Sequence, residues 1–280
     1  MSAAPLLALS RRWRFLDSGA ADGATNMATD AALMAHARRT GEATLRVYAW
    51  DRPTLSLGRH ERARDRFDPA RLDARGFGVV RRPTGGRALL HHREVTYSVT
   101  APGNAISLGQ SYAAINGLLL DALATLGVRA TVAPTARRPL RPDGAACFAE
   151  PAAGELTVDG AKLVGSAQLR EEGALLQHGA ILLADDQRLI GDLRVGELSG
   201  LPAIARAATL DSVLGRRTGY GDVRDALAAA LARATSAAGG GVASSDATPR
   251  GDAAALVASL QDDLARLVIA FASPSWTWRR

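Results

Sequence analysis

Five short apolar runs between residues 45 and 100 constrain the fold more than any other feature of the chain. Their short spacing and small turns favour antiparallel strand pairing over helical crossovers. We therefore predict a sheet assembled largely from strands that are neighbours in sequence. The runs are LRVYAW (45–50), TLSLGRH (54–60), FGVVRR (77–82), RALLH (87–91) and EVTYSVT (94–100).

Helical spacing of apolar residues appears on both sides of this strand-rich region. Residues 25–39 form one predicted helix, with Thr25 or Asn26 as its cap and Gly41 at its end. A second helix is predicted at 111–126, just before Gly127, and a third at 220–234. These helices are expected to pack against the sheet.

Strand signals resume after the second helix and end in a helical tail. Asp159-Gly160 is a hairpin signal between two strands, and ALLQHGAILL (174–183) is a further strand. The fold class is therefore predicted as α+β, a mostly antiparallel sheet with flanking helices. Within it we expect one main domain at 1–234, a flexible Gly/Ser/Ala-rich linker at 235–252 and a small C-terminal helical tail at 253–280.

The net charge of +6 would suit an acidic partner. Basic runs never exceed two residues, so we predict no nucleic-acid groove and no nucleic-acid partner. A single cysteine cannot form an internal disulfide. The N-terminal apolar run lacks the layout of a secretory signal, and no run approaches the roughly 18 apolar residues of a membrane span. We expect a cytoplasmic protein without a membrane partner.

Cys147 and Lys162 are the only cysteine and the only lysine, and they lie fifteen positions apart. A thiolate is a good nucleophile, and a nearby cation lowers the pKa of a thiol. A compact ammonium can also point its charge at one carbonyl oxygen, which a planar guanidinium does less well. The alternative is that Cys147 is an ordinary buried small residue and Lys162 stands there by chance.

A second stretch that could take part in ligand binding is VVRRPTGGRALLHHREVTYSV at residues 79–99. It has the pattern strand, tight turn, strand, turn, strand, and Gly85 and Gly86 would let a ligand lie against the backbone. A plain glycine hairpin with exposed arginines is the simpler interpretation. His178 and His91 are more often structural residues than bases. Metal-ligand spacing and nucleotide-binding glycine motifs are both missing, so no metal and no cofactor are predicted.

Together these stretches resemble the biotin/lipoate protein ligase superfamily, and most of all its cysteine-dependent octanoyltransferases. The matching segments keep the family order across nearly the whole chain. They are NMATDAAL (26–33), LRVYAWDRPTLSLGRH (45–60), RRPTGGRALLHHREVTYSV (81–99), CFAEPAAGELTVDGAKLVGSAQLREEGALLQHGAIL (147–182) and FASPSWTWRR (271–280).

The resemblance implies roles for individual residues. Cys147 would carry the acyl group as a thioester, and Lys162 would lower the pKa of that thiol and hold the acyl carbonyl. The remaining implied residues would bind the acyl chain or substrate. They are Arg81, Arg82, Thr84, Gly85, Gly86, Arg87, Ala88, His91, Gly165, Ser166, Ala167 and His178.

The implied reaction belongs to lipoate biosynthesis and needs no ATP. The octanoyl group would pass from octanoyl-acyl carrier protein to Cys147, and then to a lysine of the glycine-cleavage H protein or another lipoyl-domain protein. Three alternatives stay open. They are an ATP-dependent lipoate-protein ligase, an amidotransferase that takes octanoyl from the H protein, and a non-catalytic basic binding protein.

Overall fold

The computed structural model describes residues 4–103, 106–134, 152, 154–195, 206–236, 241–244 and 251–280. Cys147 lies outside these residues, as does most of the segment between β7 and β8. The helices are α1 (Ala4–Leu7), α2 (Gly23–Thr40), α3 (Pro69–Ala74), α4 (Leu108–Thr125), α5 (Leu189–Leu193), α6 (Leu210–Leu214), α7 (Tyr220–Ser236), α8 (Gly251–Ala272) and α9 (Pro274–Thr277).

The strands occur singly or in runs of two to four between these helices. They are β1 (Arg12–Ala21), β2 (Ala43–Trp50), β3 (Thr54–Leu57), β4 (Gly78–Arg81), β5 (Leu89–His91), β6 (Glu94–Pro102), β7 (Thr131–Val132), β8 (Leu156–Val158), β9 (Ala161–Glu171), β10 (Ala174–Leu182) and β11 (Gly241–Ser244).

In the described part of the chain, the strands form a large sheet in the order β11-β1-β2-β6-β10-β9-β8-β7 and a small sheet in the order β4-β3-β5. Most neighbouring pairs are antiparallel, which confirms the predicted fold class. Three pairs are parallel, namely β1 with β2, β1 with β11 and β3 with β4. The expectation of antiparallel neighbours is therefore wrong for β3 and β4, because α3 lies between them and supplies a crossover.

The predicted helix at 25–39 is confirmed as α2, but its cap differs from the prediction. Asp22, and not Thr25 or Asn26, is the N-cap, because its carboxylate accepts a hydrogen bond from the Thr25 N–H at 3.0 Å. Asn26 is instead buried and donates to backbone carbonyls of β1 and β2. The helix ends at Gly41, which has a φ of 73° and takes the left-handed C-terminal position predicted for it.

Two further local predictions are confirmed. The second helix begins at Leu108, three residues early, because Ser107 and Gln110 form a reciprocal capping box there. The Asp159-Gly160 turn joins β8 to β9, with φ angles of 50° and 76°. Positive φ at both central positions is the type I′ pattern of tight hairpins. The turn sets Lys162 as the second residue of β9.

Helices cover both faces of the large sheet. α4 and α7 pack on one face, where Leu119 and Leu227 join Leu45 and Val99 in the main core. α2 packs on the other face against β2, β6 and β10. α8 lies over α2, and Leu33 of α2 packs in one cluster with Leu260 of α8. The face under α2 holds the polar groups described below.

The C-terminal residues return to the small sheet. The Trp276 indole donates to the backbone carbonyl of Arg81 at 2.8 Å, and the Arg81 side chain donates to the carbonyl of Thr277 at 2.9 Å. Of the segment 235–252, residues 241–244 form β11 beside β1. None of the helices in the described ranges combines the length and apolar character that a membrane crossing needs.

Candidate active site

A cavity of about 520 Å³ lies between the small sheet, α2 and the middle of β9 and β10. Its volume falls within the range of small-molecule sites. Apolar and polar groups share its wall. The lining residues are Met27, Tyr48, Ser56, His60, Glu61, Arg82, Gly85, Gly86, Arg87, Leu89, His91, Thr96, Ala152, Glu155, Lys162, Gly165, Ser166, Ala167, Gln168, His178 and Gly179.

Most of the site residues implied by the resemblance meet at this cavity. Lys162 lines it, together with Arg82, Gly85, Gly86, Arg87, His91, Gly165, Ser166, Ala167 and His178. Arg81, Thr84 and Ala88 are buried and are not among its lining residues. The position of Cys147 lies outside the described residues.

The predicted hairpin pairing across Gly85 and Gly86 is wrong, because β4 and β5 both pair with β3 and not with each other. Residues 82–88, which connect β4 to β5 and keep the name glycine hairpin below, are organised by a buried arginine. The Arg82 guanidinium donates to the carbonyls of Gly85, Arg87 and Ser56 at 2.8–2.9 Å and thereby closes the turn. Arg82 is only 4% exposed. The simpler interpretation, a plain hairpin with exposed arginines, is therefore wrong for Arg82 and for the buried Arg81.

Arg81 points away from the cavity and joins three other segments. Its guanidinium donates to the carbonyls of Gly58, Glu61 and Thr277. Burial, followed by the positive charge of nearby Arg279, lowers the pKa of Arg81 to about 10. Arg81 therefore fixes the loop after β3 and the C-terminal residues, and it supports the hairpin from behind.

Gly58 packs directly behind the hairpin turn. A Cβ atom built on Gly58 would lie 1.9 Å from the carbonyl oxygen of Gly86, a distance that forces the backbone apart. The close approach of these two backbone segments therefore requires glycine.

We expect Gly58→Ala to displace the turn and lower the rate of the enzymatic reaction by about ten-fold, because small misplacements near a reacting group are costly. Steady-state kinetics would measure the effect. Gly109→Ala is the matched control, because its Cβ would meet nothing within 4 Å. Equal rates for the two variants would contradict a positioning role for the turn.

A buried polar network joins α2 to the hairpin through His178. Asp30 is fully buried and accepts hydrogen bonds from Arg46 and Ser98 at 2.7 Å. His178 Nδ1 lies 3.0 Å from the other oxygen of Asp30, and its Nε2 lies 2.6 Å from Thr84 Oγ1. Thr84, His178 and Asp30 thus form a continuous chain behind the cavity wall.

The charge on Asp30 is stabilised by its surroundings. Burial opposes ionisation, but Arg46 and the hydrogen bonds from His178 and Ser98 outweigh it and hold the pKa of Asp30 below its usual value. The Arg46 guanidinium also stacks over the Tyr48 ring at 3.8 Å. A fixed negative charge in this position keeps His178 oriented toward Thr84.

Lys162 is 2% exposed and forms an ion pair with Glu155, Nζ to Oε1, at 2.6 Å. The second oxygen of Glu155 accepts the N–H of Ala152, also at 2.6 Å. Sequence reasoning missed Glu155, because three acidic residues lie between the only cysteine and the only lysine and nothing in the sequence distinguishes Glu155 from Glu150 and Asp159. The pair places a fixed ammonium group at the cavity wall.

The floor of the cavity is closed by tightly packed residues of β9 and β10. Ser166 Oγ lies 2.7 Å from the Tyr97 hydroxyl, and Gln177 donates to the same hydroxyl at 3.0 Å. Burial raises the pKa of Tyr97 to about 12. A Cβ on Gly179 would lie 2.4 Å from the carbonyl oxygen of Gly165, so this close approach requires a glycine.

His91 stacks on Trp50 with ring centroids 4.0 Å apart, and its Nδ1 lies 3.1 Å from the Glu94 carboxylate. Burial lowers the pKa of His91, and Glu94 opposes this shift only in part. The neutral ring is therefore favoured at neutral pH, and His91 forms an uncharged part of the wall.

Because the pKa of folded His91 is below the unfolded value of about 6.5, the unfolded chain binds the proton more readily. We expect the free energy of unfolding to be highest above pH 6.5, where His91 is neutral in both states, and to decrease as the pH drops below that value. His91→Gln should flatten this acid slope in thermal unfolding between pH 7.5 and 5.5. His60→Gln, an exposed position, is the control, and an unchanged slope in His91→Gln would contradict the assignment.

Within the described ranges, no group of three or more His, Cys, Asp or Glu residues could hold a metal ion. The cavity wall offers an ammonium group, three histidines, a glycine hairpin and apolar side chains. Such a combination can bind an acyl chain and stabilise a negatively charged carbonyl oxygen.

Solved structures share this architecture along most of the chain. A lipoate-protein ligase A bound with ATP superposes with a TM-score of 0.72 at 17% identity, over 95% of this chain and 98% of that chain. A bi-partite lipoate protein ligase from Thermoplasma acidophilum, studied with its E2 lipoyl domain, gives 0.71 at 17% identity, over 95% and 96%. At these identities the likeness defines the fold alone.

Residues 22–232 match the lipoyl protein ligase A/B catalytic domain, and the chain belongs to that family. It is 48% identical to the octanoyltransferase LipM of Kyrpidia tusciae over 192 residues, 65% of this chain and 70% of that protein. It is 43% identical to the octanoyltransferase LipM of Symbiobacterium thermophilum over 244 residues, 81% and 87% respectively. These matches confirm the resemblance found in the sequence.

Proposed function

We propose that this chain is an octanoyltransferase of lipoate biosynthesis that works through a thioester on Cys147. Its curated relatives with the same activity in their names support the octanoyltransferase class. The observation that carries the mechanism is the buried Lys162, the only lysine of the chain, fixed in the wall of the cavity. Cys147 precedes it by fifteen residues.

In the first step, the Cys147 thiolate attacks the carbonyl carbon of the octanoyl thioester on acyl carrier protein. The carbonyl oxygen becomes negatively charged, and the Lys162 ammonium stabilises that charge. The bond to the carrier sulfur breaks, and the carrier leaves as a thiol after taking up a proton. The positive charge of Lys162 also favours the thiolate form of a nearby thiol.

In the second step, the ε-amine of a lysine on the acceptor attacks the same carbonyl carbon. The Cys147 sulfur leaves as a thiolate, the acceptor nitrogen releases its proton to the solvent, and an amide forms. Both steps use the same oxyanion position, so one ammonium serves both. A thioester is higher in energy than an amide, so the overall transfer needs no ATP and no cofactor.

The cavity suits an eight-carbon acyl chain. Met27, Leu89 and Ala167 supply apolar surface, and Gly165 and Gly179 present backbone without side chains at the wall. The proposed donor is octanoyl-acyl carrier protein. The proposed acceptor is the glycine-cleavage H protein or another lipoyl-domain protein, and a fold neighbour was solved in a study that includes its E2 lipoyl domain.

The test is to mix the purified chain with octanoyl-acyl carrier protein in the absence of ATP and record its intact mass. We expect the gain of one octanoyl group, mapped to Cys147 by peptide mass spectrometry and removed by neutral hydroxylamine. Adding a lipoyl domain should discharge it to the acceptor. No adduct, together with acceptor modification by octanoate and ATP, would instead identify a ligase.

A second experiment, with a different acyl donor, distinguishes an amidotransferase from the proposed octanoyltransferase. Octanoyl-H protein would replace the octanoyl-carrier protein as the acyl donor under the same conditions. We expect the carrier protein to acylate Cys147 faster. Acylation only by octanoyl-H protein would overturn the proposed donor while leaving the thioester chemistry intact.

A further inference from the structure

The carboxylate of Glu155 is held at both of its oxygens. One oxygen lies 2.6 Å from Lys162 Nζ, and the other accepts the Ala152 N–H at 2.6 Å. Glu155 is only 4% exposed and Lys162 only 2%. A buried ion pair in this geometry fixes the nitrogen in position, and the short distances are typical of charge-assisted hydrogen bonds.

The proposed chemistry creates a hazard for Lys162. The acceptor of the reaction is a lysine ε-amine, and Lys162 is a lysine at the wall of the cavity that would hold the acyl thioester. A neutral Lys162 amine would attack that thioester. The C–S bond would break, an amide would form on Lys162, and the enzyme would lose its ammonium permanently.

Burial alone would promote this side reaction, because a low-dielectric surrounding favours the neutral form of an amine. An opposite charge in contact favours the protonated form. A protonated ε-amine has no free electron pair and cannot attack a carbonyl carbon. The carboxylate of Glu155 is therefore placed where it opposes the effect of burial.

We propose that Glu155 is a protecting and positioning residue, which holds Lys162 as an ammonium so that it stabilises the oxyanion without accepting the octanoyl group itself. The inference rests on the proposed thioester chemistry. It assigns Glu155 a role in preventing self-acylation, a reaction that a simple structural role would not control.

The first arm of the test follows self-acylation of Glu155→Gln, which keeps the size of the side chain and removes its charge. Wild type and variant are incubated with octanoyl-acyl carrier protein, treated with neutral hydroxylamine and weighed. Hydroxylamine should remove all octanoyl from the wild type. The variant should accumulate a resistant octanoyl group on Lys162 over time, because amides survive this treatment.

The second arm of the test uses a small reagent and does not depend on Cys147. Because Lys162 is the only lysine of the chain, its label is easy to assign. Acetic anhydride labels the neutral ε-amine of Lys162, and the α-amine of the chain serves as an internal reference. We expect Glu155→Gln to label at least about ten-fold faster at Lys162, since the variant removes the carboxylate charge that contacts Nζ.

Two control variants complete the design. Glu171→Gln removes an exposed carboxylate of β9 and should label like the wild type. Glu155→Asp keeps the charge and should remain protected, whereas Glu155→Ala also removes the charge and is the variant to use if Glu155→Gln does not fold. Equal labelling of Lys162 in Glu155→Gln and wild type would overturn the inference.

The experiments distinguish a failure of the proposed octanoyltransferase function from a failure of the protecting role of Glu155. If the wild type forms no hydroxylamine-labile adduct with the carrier protein, the proposed function is wrong, and the anhydride arm still decides whether Glu155 protects Lys162. If the labile adduct forms but Glu155→Gln gains no resistant adduct, the function stands and the protecting role falls.

Discussion

Cys147→Ser is expected to lower the rate of octanoyl transfer by at least about 1,000-fold, the scale on which loss of a covalent nucleophile acts. A serine hydroxyl is a far weaker nucleophile than a thiolate, and the positive charge of Lys162 helps a thiol ionise but cannot produce an alkoxide at neutral pH. The rate is measured as octanoyl appearing on an acceptor lipoyl domain, by intact mass spectrometry.

The same variant distinguishes loss of chemistry from loss of fold. Its thermal unfolding midpoint should stay close to that of the wild type, and Cys147→Ala should lose activity to the same extent. Transfer at the wild-type rate by either variant would refute the thioester intermediate. If such a variant also needed ATP and free octanoate, the chain would act as a ligase.

Local sequence signals predicted the elements that carry the site with good accuracy. Gly41 marks the end of α2 as predicted, although the N-cap of the helix is Asp22 and not Thr25 or Asn26. The Asp159-Gly160 turn fixes the register that places Lys162 in β9. The residues of the glycine hairpin and of the GSA stretch at 165–167 could be placed at one cavity because the family resemblance linked them. A turn depends on a few neighbouring residues, and the order of the motifs can be read directly from the sequence.

The buried charge pairs could not be predicted in the same way. His178 and Asp30 are separated by 148 residues, and their contact depends on how α2 crosses β10. β11 and the parallel pairing of β3 with β4 likewise depend on long-range packing and crossovers. An acidic residue in an apolar helix indicates burial of a charge, but it does not identify the residue that will neutralise it.

Arg81 and Arg82 combine a local sequence signal with long-range contacts that the sequence does not show. The sequence presents them as an adjacent pair of charges beside a turn. Arg81 is the last residue of β4, and the N–H of Arg82 just beyond it still donates to the carbonyl of Leu57 in β3. Successive side chains of extended backbone point to opposite sides, so the pair is divided between two tasks. Arg82 closes the hairpin over the cavity, whereas Arg81 reaches Thr277 and connects the turn to the C-terminal residues. Alternation along the strand therefore explains why one arginine lines the cavity and the other does not.

Asp30→Asn is expected to destabilise the fold by about 3–5 kcal/mol, the typical cost of removing one partner of a buried ion pair. Arg46 is 1% exposed, and it would keep a buried positive charge without the carboxylate that neutralises it. Urea unfolding followed by circular dichroism would measure the change. Asp225→Asn is the control, because it breaks an exposed pair with Arg224 and should change stability little.

The variant should also reduce activity beyond its effect on folding. Asp30 orients His178, and His178 holds Thr84 at the base of the glycine hairpin. Loss of the carboxylate should therefore loosen the turn that lines the cavity, and raise KM for the acyl donor in the fraction of protein that remains folded. Since the pKa of Asp30 is lowered on folding, its stabilisation is present above pH 3.8 and is lost as the pH falls below it. Equal stability of Asp30→Asn and Asp225→Asn would contradict this description, because it would mean that the network under α2 does not support the site.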